Sequence, residues 1–397
     1  MIGARPESAS RSPLGLSFSL HRAHEVGNLG ALWRGLETRA DASFYLSWDW
    51  MGRWLAEIGG DARVLIGRLG SEVVALGLLR DATLRRHGWL TVKALMLHQV
   101  GDPDIDVITM EYNGFLVDRA VGEAATRGAL EFLKRSAGDG ASGADWDELH
   151  LGGVADSFEP LARDTGMALW VQSRAPSWSV DLEAIRRSGR GYLAHVGAST
   201  RYQIRRALRL YEARGPVAAT RAATVPDAMR FYAEMRDLHQ RYWVARGEPG
   251  SYAFPFYEKF HRGLLADCLP RGTVELLRVA AGETVIGYVY NLVYRGWVCA
   301  YHTGLAYDAD PRLKPGLVSH YLAIERHLAE GARVYDFLAG DNRYKANLGT
   351  PGPAMLHLAL QRPRAKLQAE SVLRRVKASL RSFAGDAAAK EERGTAG

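Results

Sequence analysis

The segment from residue 301 to 345 constrains the fold more than any other part of the sequence. Apolar residues that end at Gly304 predict a strand, and a Pro-Gly pair predicts the start of a helix over 315–330. Residues 333–338 predict a second strand, parallel to the first. Because the first amide groups of a helix are free and its dipole is positive there, the loop before this helix is a candidate anion site, to which Lys314 adds a positive charge.

The length and composition of the chain limit the number of domains and the classes of ligand. A chain of 397 residues is too long for one ordinary core, which predicts two domains. The net charge of +7 is compatible with an anionic ligand, nucleic acid or a membrane surface and decides among none of them. The two cysteines, Cys268 and Cys299, are expected to be buried thiols in a reducing compartment. With no signal-like leader and no membrane-length apolar run, we expect a cytoplasmic protein.

The first half reads as helices followed by a strand meander and alternating helices and strands. The predicted elements are helices with a turn over 18–60, strands 62–68, 72–79 and 89–97, helix 122–136, strand 148–151, helix 158–165 and strand 169–172. Residues 137–145 are expected to form a surface loop. The aromatic residues between 42 and 55 are expected to pack in the core, with an exposed substrate platform as the alternative.

The second half repeats this order. Its predicted elements are strand 178–182, a helix capped by Ser199, helices 226–246 and 256–265, strands 274–280, 284–294 and 297–303, the 301–345 segment, strand 355–360 and helix 365–383. We therefore expect a disordered N-terminus (1–17), two domains (18–176 and 177–383) and a disordered tail (384–397).

Several polar or amphipathic side chains of the second half are candidates for binding. Arg201 and Arg205 share one helix face and could clamp a phosphate or carboxylate, with a solvated helix surface as the alternative. His239 suits acid–base or substrate contacts, although a lone histidine is often structural, and Trp243 four residues later could contact substrate or join the core. The helix over 365–383 is apolar on one side and basic on the other, so it could lie on a membrane surface or pack on its own domain.

The second half also carries a series of short motifs. They are Ser-x-Arg-x-x-Ile-Arg-Arg from 199, Leu-His-x-x-Tyr-Trp from 238, Val-Ile-Gly-Tyr from 285, the Pro-Gly helix start, Tyr-Asp-Phe-Leu-Ala-Gly-Asp from 335 and Arg-Tyr-Lys from 343. In this order they resemble the GNAT acyltransferase branch tied to cellulose and exopolysaccharide synthesis, and the related Fem-type aminoacyl transferases. The first half, with Glu-Tyr-Asn from 111, fits the same branch less specifically. The resemblance implies an α+β (α/β) protein of tandem GNAT-like domains, each a mixed, mainly antiparallel sheet flanked by helices.

The resemblance also implies a donor site. In GNAT enzymes the pyrophosphate of acetyl-CoA or another acyl-CoA, a co-substrate and not a tightly bound cofactor, sits on the helix that follows the fourth strand. The matching residues are Arg312, Lys314, Gly316 and Leu317. The loop has one glycine, displaced by one position, so the support comes from position rather than from motif. In Fem-type enzymes a lysine after an aromatic residue serves the substrate, and Lys345 after Tyr344 matches it.

The expected reaction is direct acyl transfer to an amine or hydroxyl of a small molecule or glycan precursor. A backbone N–H of strand 297–303 should polarise the thioester carbonyl. Candidates for proton transfer are Tyr301, His302 and Asp336, while Lys345 could bind an anionic part of either substrate. No metal site is expected. One alternative is an aminoacyl-tRNA-dependent transferase, the one case in which nucleic acid would bind, and another is a non-catalytic scaffold of a polysaccharide system.

Overall fold

The computed structural model describes residues 15–136 and 145–375. The strands of the first half are β1 (Leu16–Arg22), β2 (Arg63–Leu69), β3 (Glu72–Arg86), β4 (Leu90–Leu97), β5 (Leu116–Val117), β6 (Glu148–Ala155) and β7 (Ala168–Ala175). Those that follow are β8 (Ser177–Asp181), β9 (Val217–Arg221), β10 (Val274–Ala281), β11 (Thr284–Tyr294), β12 (Trp297–Leu305), β13 (Val334–Ala339), β14 (Thr350–Pro351) and β15 (Met355–Gln361).

Helices cover the faces of the sheets. They are α1 (Leu29–Glu37), α2 (Trp48–Ile58), α3 (Pro103–Asp106), α4 (Gly122–Ser136), α5 (Phe158–Asp164), α6 (Leu182–Ser188), α7 (Ala198–Glu212), α8 (Val225–Val244), α9 (Pro255–Cys268), α10 (Pro315–Ala329) and α11 (Arg343–Leu348), and residues 365–375 are helical too. Within the described ranges, none of the helices combines the length and hydrophobicity that a membrane crossing requires.

The strands form two sheets. The first has the order β1-β2-β3-β4-β6-β15-β7, with β5 beside β3, and the second has the order β14-β8-β13-β12-β11-β10-β9. Most neighbours are antiparallel, but β4 with β6 and β12 with β13 are parallel pairs. Two mainly antiparallel sheets flanked by helices confirm the predicted fold class.

The final strand crosses between the two halves. The boundary drawn from the sequence assigns residues 355–361 to the second domain, yet β15 pairs with β6 and β7 in the first sheet. Leu356, Leu358 and Leu360 are fully buried there in the core of the first half. The physical reason is that β6 and β7 each offer a free edge to β15. A domain boundary drawn at one point of the sequence cannot show that a later strand returns to the first sheet.

The structure adds two findings on the N-terminal and C-terminal parts of the described chain. Residues 18–22 form part of β1 and not a helix, because the alternation of buried Leu16 and Phe18 suits a strand beside β2. The predicted disordered N-terminus overlaps the start of this strand, while residues 1–14, the loop 137–144 and the tail from 376 lie outside the described residues. The described part of the last helix packs on the first half, where Leu367 contacts the core beside β4 and Glu370 accepts a 2.8 Å bond from Arg86.

The aromatic residues between 42 and 55 lie in the core, as the preferred prediction has it. Phe44, Tyr45, Trp50 and Trp54 are all almost fully buried. Trp50 packs edge-on against Phe260 of α9 with ring centroids 4.8 Å apart, so this cluster joins the two halves into one core. Both cysteines are buried free thiols.

Candidate active site

A cleft of about 970 Å³ opens where the two halves meet. Its walls are the ends of β12 and β13, the beginning of α10, the end of α8 and the 248–257 segment of the second half, and residues 107–111 of the first half. It runs from the tip of α10 to the strand edges, so the tip is not plugged by side chains. Of the predicted site residues, Lys314, Gly316, Leu317, Tyr301, His302, Lys345, His239, Trp243 and Tyr344 line the cleft.

The strands β12 and β13 separate at the floor of the cleft. Their parallel pairing is confined to three residue pairs and ends at Cys299 and Asp336. On its other side β12 contains a bulge, because Tyr290 pairs with His302 and the next residue of β11 pairs with Ala300. Tyr301 is therefore the extra residue. A bulge interrupts the hydrogen-bond ladder and frees main-chain groups for a ligand.

The tip of α10 offers free amide groups. Lys314 caps the helix in a left-handed conformation (φ 35°), and the first helical hydrogen bond runs from Val318 N–H to Lys314 O over 3.2 Å. Pro315 has no N–H, so the unpaired helical amides belong to Gly316 and Leu317. A side chain at Gly316 would begin 3.1 Å from Leu305 Cδ1, so the leucine side chain would have to shift slightly to admit it.

Arg312 is turned away from this tip. Its guanidinium binds both carboxylate oxygens of Asp310 at 2.7 to 3.0 Å, and it does not line the cleft. Asp308, which pairs with Arg214 at 3.0 Å, and Asp310 do line it. An anionic group at the tip would therefore depend on Lys314 and the two amides.

Glu111 of the first half reaches into the cleft, and sequence reasoning missed this. Its Oε2 accepts a 2.7 Å hydrogen bond from Ala339 N–H, and Ala339 O accepts a 2.6 Å bond from Lys345 Nζ. Burial raises the pKa of Glu111 to about 7, against the opposing effects of the Ala339 N–H and the Lys345 charge. Burial also lowers the pKa of Lys345. The sequence signal for this residue was the Glu-Tyr-Asn triplet at 111–113, which belongs to the resemblance of the first half and gave Glu111 no role.

Asp336 is fully buried and does not line the cleft. Its Oδ1 accepts a 2.6 Å bond from Leu338 N–H, and its Oδ2 accepts bonds from Tyr112 OH (2.5 Å) and Trp297 Nε1 (3.0 Å). Burial raises its pKa from the ordinary value. These bonds hold the irregular end of β13, in which Leu338 has a φ of 63° and from which Ala339 faces Glu111.

Tyr301, His302 and His239 form one side of the cleft. The Tyr301 hydroxyl donates to Ile108 O of the first half and lies 3.1 Å from Nε2 of buried His261, so it is already engaged. Burial holds the pKa of His302 well below its ordinary value, so the ring is neutral at pH 7. His302 Nε2 is buried without a hydrogen-bond partner in the described residues, and its ring centroid is 4.4 Å from that of His239.

Three predicted substrate contacts remain, two outside the cleft on α7 and one at the cleft wall. Arg201, which donates to Val196 O over 3.2 Å, and exposed Arg205 lie on α7 outside the cleft. Helix α7 begins at Ala198 and its cap is Gly197, so Ser199 is not the capping residue. Tyr344 stacks on His320 with centroids 5.6 Å apart and remains partly exposed at the cleft wall.

The first sheet has an opening of the same kind, but it is filled. Beyond their parallel pairing, β4 and β6 are bridged by the Asn113 side chain, which donates to Leu97 O (3.1 Å) and Gly152 O (2.8 Å). The segment that fills this opening also carries Glu111 to the cleft of the second half. The first half thus contributes a wall to the site instead of repeating it.

One cluster in the described residues has the composition of a metal site. Ligand atoms of Glu275, His327 and Glu330 lie within 4.8 Å of one another. Arg221 already binds Glu275 through Nε and Glu330 through Nη2 (2.5 and 2.7 Å), so one guanidinium engages both carboxylates. The cluster is outside the cleft and is best described as a partly buried ion network.

Comparison with known proteins agrees with this geometry. Residues 198–346 match the family model described as acetyltransferase (GNAT) domain. The match extends from the first residue of α7 into α11, so it contains the bulged strand, the α10 tip and Lys345. No curated protein matches the chain.

Solved structures with the same fold extend over both halves. The crystal structure of FemX matches with a TM-score of 0.55 at 11% identity, over 85% of this chain and 96% of that one. L-PGS from Bacillus licheniformis matches with a TM-score of 0.50 at 12% identity, over 86% and 95%. The C-terminal domain assigned to a lysylphosphatidylglycerol synthetase of Agrobacterium fabrum matches with a TM-score of 0.50 at 13% identity, over 88% and 95%. At this identity the likeness concerns the fold, and the family match concerns one segment: residues 198–346 match a GNAT acetyltransferase domain, which supports an acyltransferase activity.

Proposed function

We propose that the chain transfers an acyl group directly from an acyl-coenzyme A thioester to an amine or hydroxyl of a sugar, an amino acid or a polysaccharide precursor. The observation that supports this most is the continuous cleft from the free amides of α10 to the bulge at Tyr301 and the Glu111 carboxylate. A donor with an anionic tail and a reactive acyl end fits such a path. Holding both reactants in one cleft supplies much of the acceleration, without a covalent intermediate.

In the proposed step the acceptor nitrogen or oxygen attacks the thioester carbonyl carbon. Its proton passes to the Glu111 carboxylate, whose pKa of about 7 suits a base near neutral pH. A main-chain N–H at the Tyr301 bulge stabilises the developing oxyanion. The carbon–sulfur bond then breaks, the thiolate takes up a proton, and Glu111 releases its own to solvent.

The other cleft residues have supporting roles in this proposal. Lys345 donates to Ala339 O and thereby fixes the position of Ala339, whose N–H binds the Glu111 carboxylate. Asp336 positions the end of β13 from behind and does not touch the reactants. Neutral His302, with a free Nε2, is the second candidate for accepting the proton.

A second donor class has one observation in its favour. Arg312, expected to bind pyrophosphate, is paired with Asp310 instead, and the folds that resemble the whole chain include FemX and a lysylphosphatidylglycerol synthetase domain. Under this alternative the acyl group is an aminoacyl group carried by tRNA. Attack, proton transfer and Glu111 remain the same, while an ester oxygen leaves instead of sulfur.

Thermal unfolding with acetyl-CoA, with free coenzyme A and with an aminoacylated RNA minihelix tests the proposal. A ligand at 100 times its Kd stabilises the folded state by about 2.7 kcal/mol, which raises Tm by several degrees. We expect acetyl-CoA to raise Tm and to give acylated products by mass spectrometry with a panel of amines and amino sugars. Stabilisation and transfer with the minihelix alone would favour the tRNA donor, and neither effect with any donor would leave a scaffold role.

A further inference from the structure

Arg246, Tyr242 and Tyr307 form a column of side chains, of which the two tyrosines line the cleft. Tyr242 at the end of α8 and Tyr307 in the loop after β12 stack with ring centroids 4.7 Å apart and planes at 23°. The Arg246 guanidinium carbon lies 3.5 Å from the Tyr242 centroid. Tyr307 is 58% exposed, so its ring is the aromatic surface that the column leaves accessible to a ligand.

The column is exposed to solvent and includes a positively charged side chain. An aromatic stack that only stabilises the core would be buried and uncharged. Trp243, set edge-on to Tyr242 at 5.6 Å, adds a second partly exposed ring on the cleft wall. Arg246 has no carboxylate partner among residues 15–136 and 145–375; its Nη1 bonds Tyr242 O at 3.0 Å. Lys314 lines the same end of the cleft, seven residues after Tyr307.

A free aromatic face next to unpaired cations and helix amides suits a ligand with a planar ring and phosphate groups. Bases stack on aromatic side chains, and phosphates bind lysine and free helical amides. A sugar would also stack on tyrosine, but it would leave the cations and the α10 amides without an anion. The charge arrangement therefore favours a nucleotide.

We propose that the Arg246–Tyr242–Tyr307 column binds the adenine nucleotide end of the acyl donor. The adenine stacks on Tyr307, and the phosphates lie towards Lys314 and the amides of Gly316 and Leu317. This inference rests on the proposed function, since it names the part of the donor that the column holds. Adenine is present both in coenzyme A, as a 3′-phosphorylated ADP unit, and at the 3′ end of tRNA.

Isothermal titration with two probes, 3′,5′-ADP for coenzyme A and the dinucleotide CpA for a tRNA end, tests the column. We expect one of them to bind the wild-type protein, and Tyr307→Leu to weaken that binding about tenfold because base stacking is lost. Arg246→Gln, a second variant in an exposed position, should weaken it as well. The control is Tyr202→Leu on α7, whose side chain is also 58% exposed but does not line the cleft.

The two probes identify the source, since tighter binding of 3′,5′-ADP points to coenzyme A and tighter binding of CpA to tRNA. Binding of neither probe, or equal binding by wild type and Tyr307→Leu, would overturn the column as an adenine site. The short thioester acetyl-N-acetylcysteamine, which has no adenine, separates this from the acyltransferase proposal. If the wild type turns over this thioester but binds neither nucleotide probe, the adenine site fails and the proposed function stands; if the wild type binds nucleotide but turns over no donor, the proposed function fails and the nucleotide site stands.

Discussion

Glu111 of the first half accepts a 2.7 Å hydrogen bond from the main-chain N–H of Ala339 in the second half. The bond ties the loop before β5 to the end of β13, at the point where β12 and β13 have separated. It makes the cleft a joint product of both halves, although the family match covers only residues 198–346.

Replacing the Glu111 carboxylate should abolish most of the activity. We expect Glu111→Gln to lower kcat by about 10²- to 10⁴-fold, the usual contribution of a general base, with little change in the KM for the donor. Because only the ionised carboxylate accepts a proton, wild-type activity should fall as pH drops through the Glu111 pKa of about 7. A pH–rate profile checks this. Glu183→Gln, at an exposed site on α6, is the control, and an acid limb that survives in Glu111→Gln but disappears in His302→Asn would assign the base to His302.

Lys345 should set the pH range of this base. Its charge lowers the pKa of Glu111, so Lys345→Met removes that effect and moves the acid limb of the profile to higher pH. The same pH–rate measurement gives the shift, with Lys93→Met on β4 as an exposed control. A profile that keeps its midpoint in Lys345→Met would contradict electrostatic coupling between the two side chains.

Replacing Lys314 should weaken donor binding, whereas replacing Arg312 should not. Lys314 lines the cleft, so Lys314→Gln should raise the donor KM about fivefold, equivalent to ~1 kcal/mol, at unchanged kcat. Arg312 is bound to Asp310, so Arg312→Gln should leave the KM near the wild-type value. Steady-state kinetics with a varied donor compare the two. A larger effect of Arg312→Gln would mean that Arg312 leaves Asp310 when the donor binds.

Asp336 should stabilise the fold through its buried hydrogen bonds. All of its described partners are donors, so the amide group of Asp336→Asn must face one of them without a bond, and we expect a loss of about 2–3 kcal/mol in the free energy of unfolding. Tyr112→Phe removes one partner and should cost about 1 kcal/mol. Urea unfolding measures both, and equal losses for the two variants would argue against this account.

Local patterns predicted the second half closely. The Pro-Gly start of α10 and the apolar runs of β10 to β13 appear where the sequence places them, because capping preferences and side-chain periodicity act over a few residues. The same patterns point to Lys314, which directly precedes α10, whereas His302 and Lys345 were named from the resemblance to GNAT and Fem-type enzymes.

Contacts made by side chains and strand edges in the folded protein could not be predicted from such local patterns. The bond from Ala339 N–H to Glu111, the pairing of Arg312 with Asp310 and the insertion of β15 between β6 and β7 depend on where side chains and free strand edges meet in space. Local sequence patterns account for most of the helices and strands and mark the tip of α10 as a candidate anion site. The tertiary structure decided which carboxylate faces that place, because contacts between residues 228 positions apart leave no local pattern.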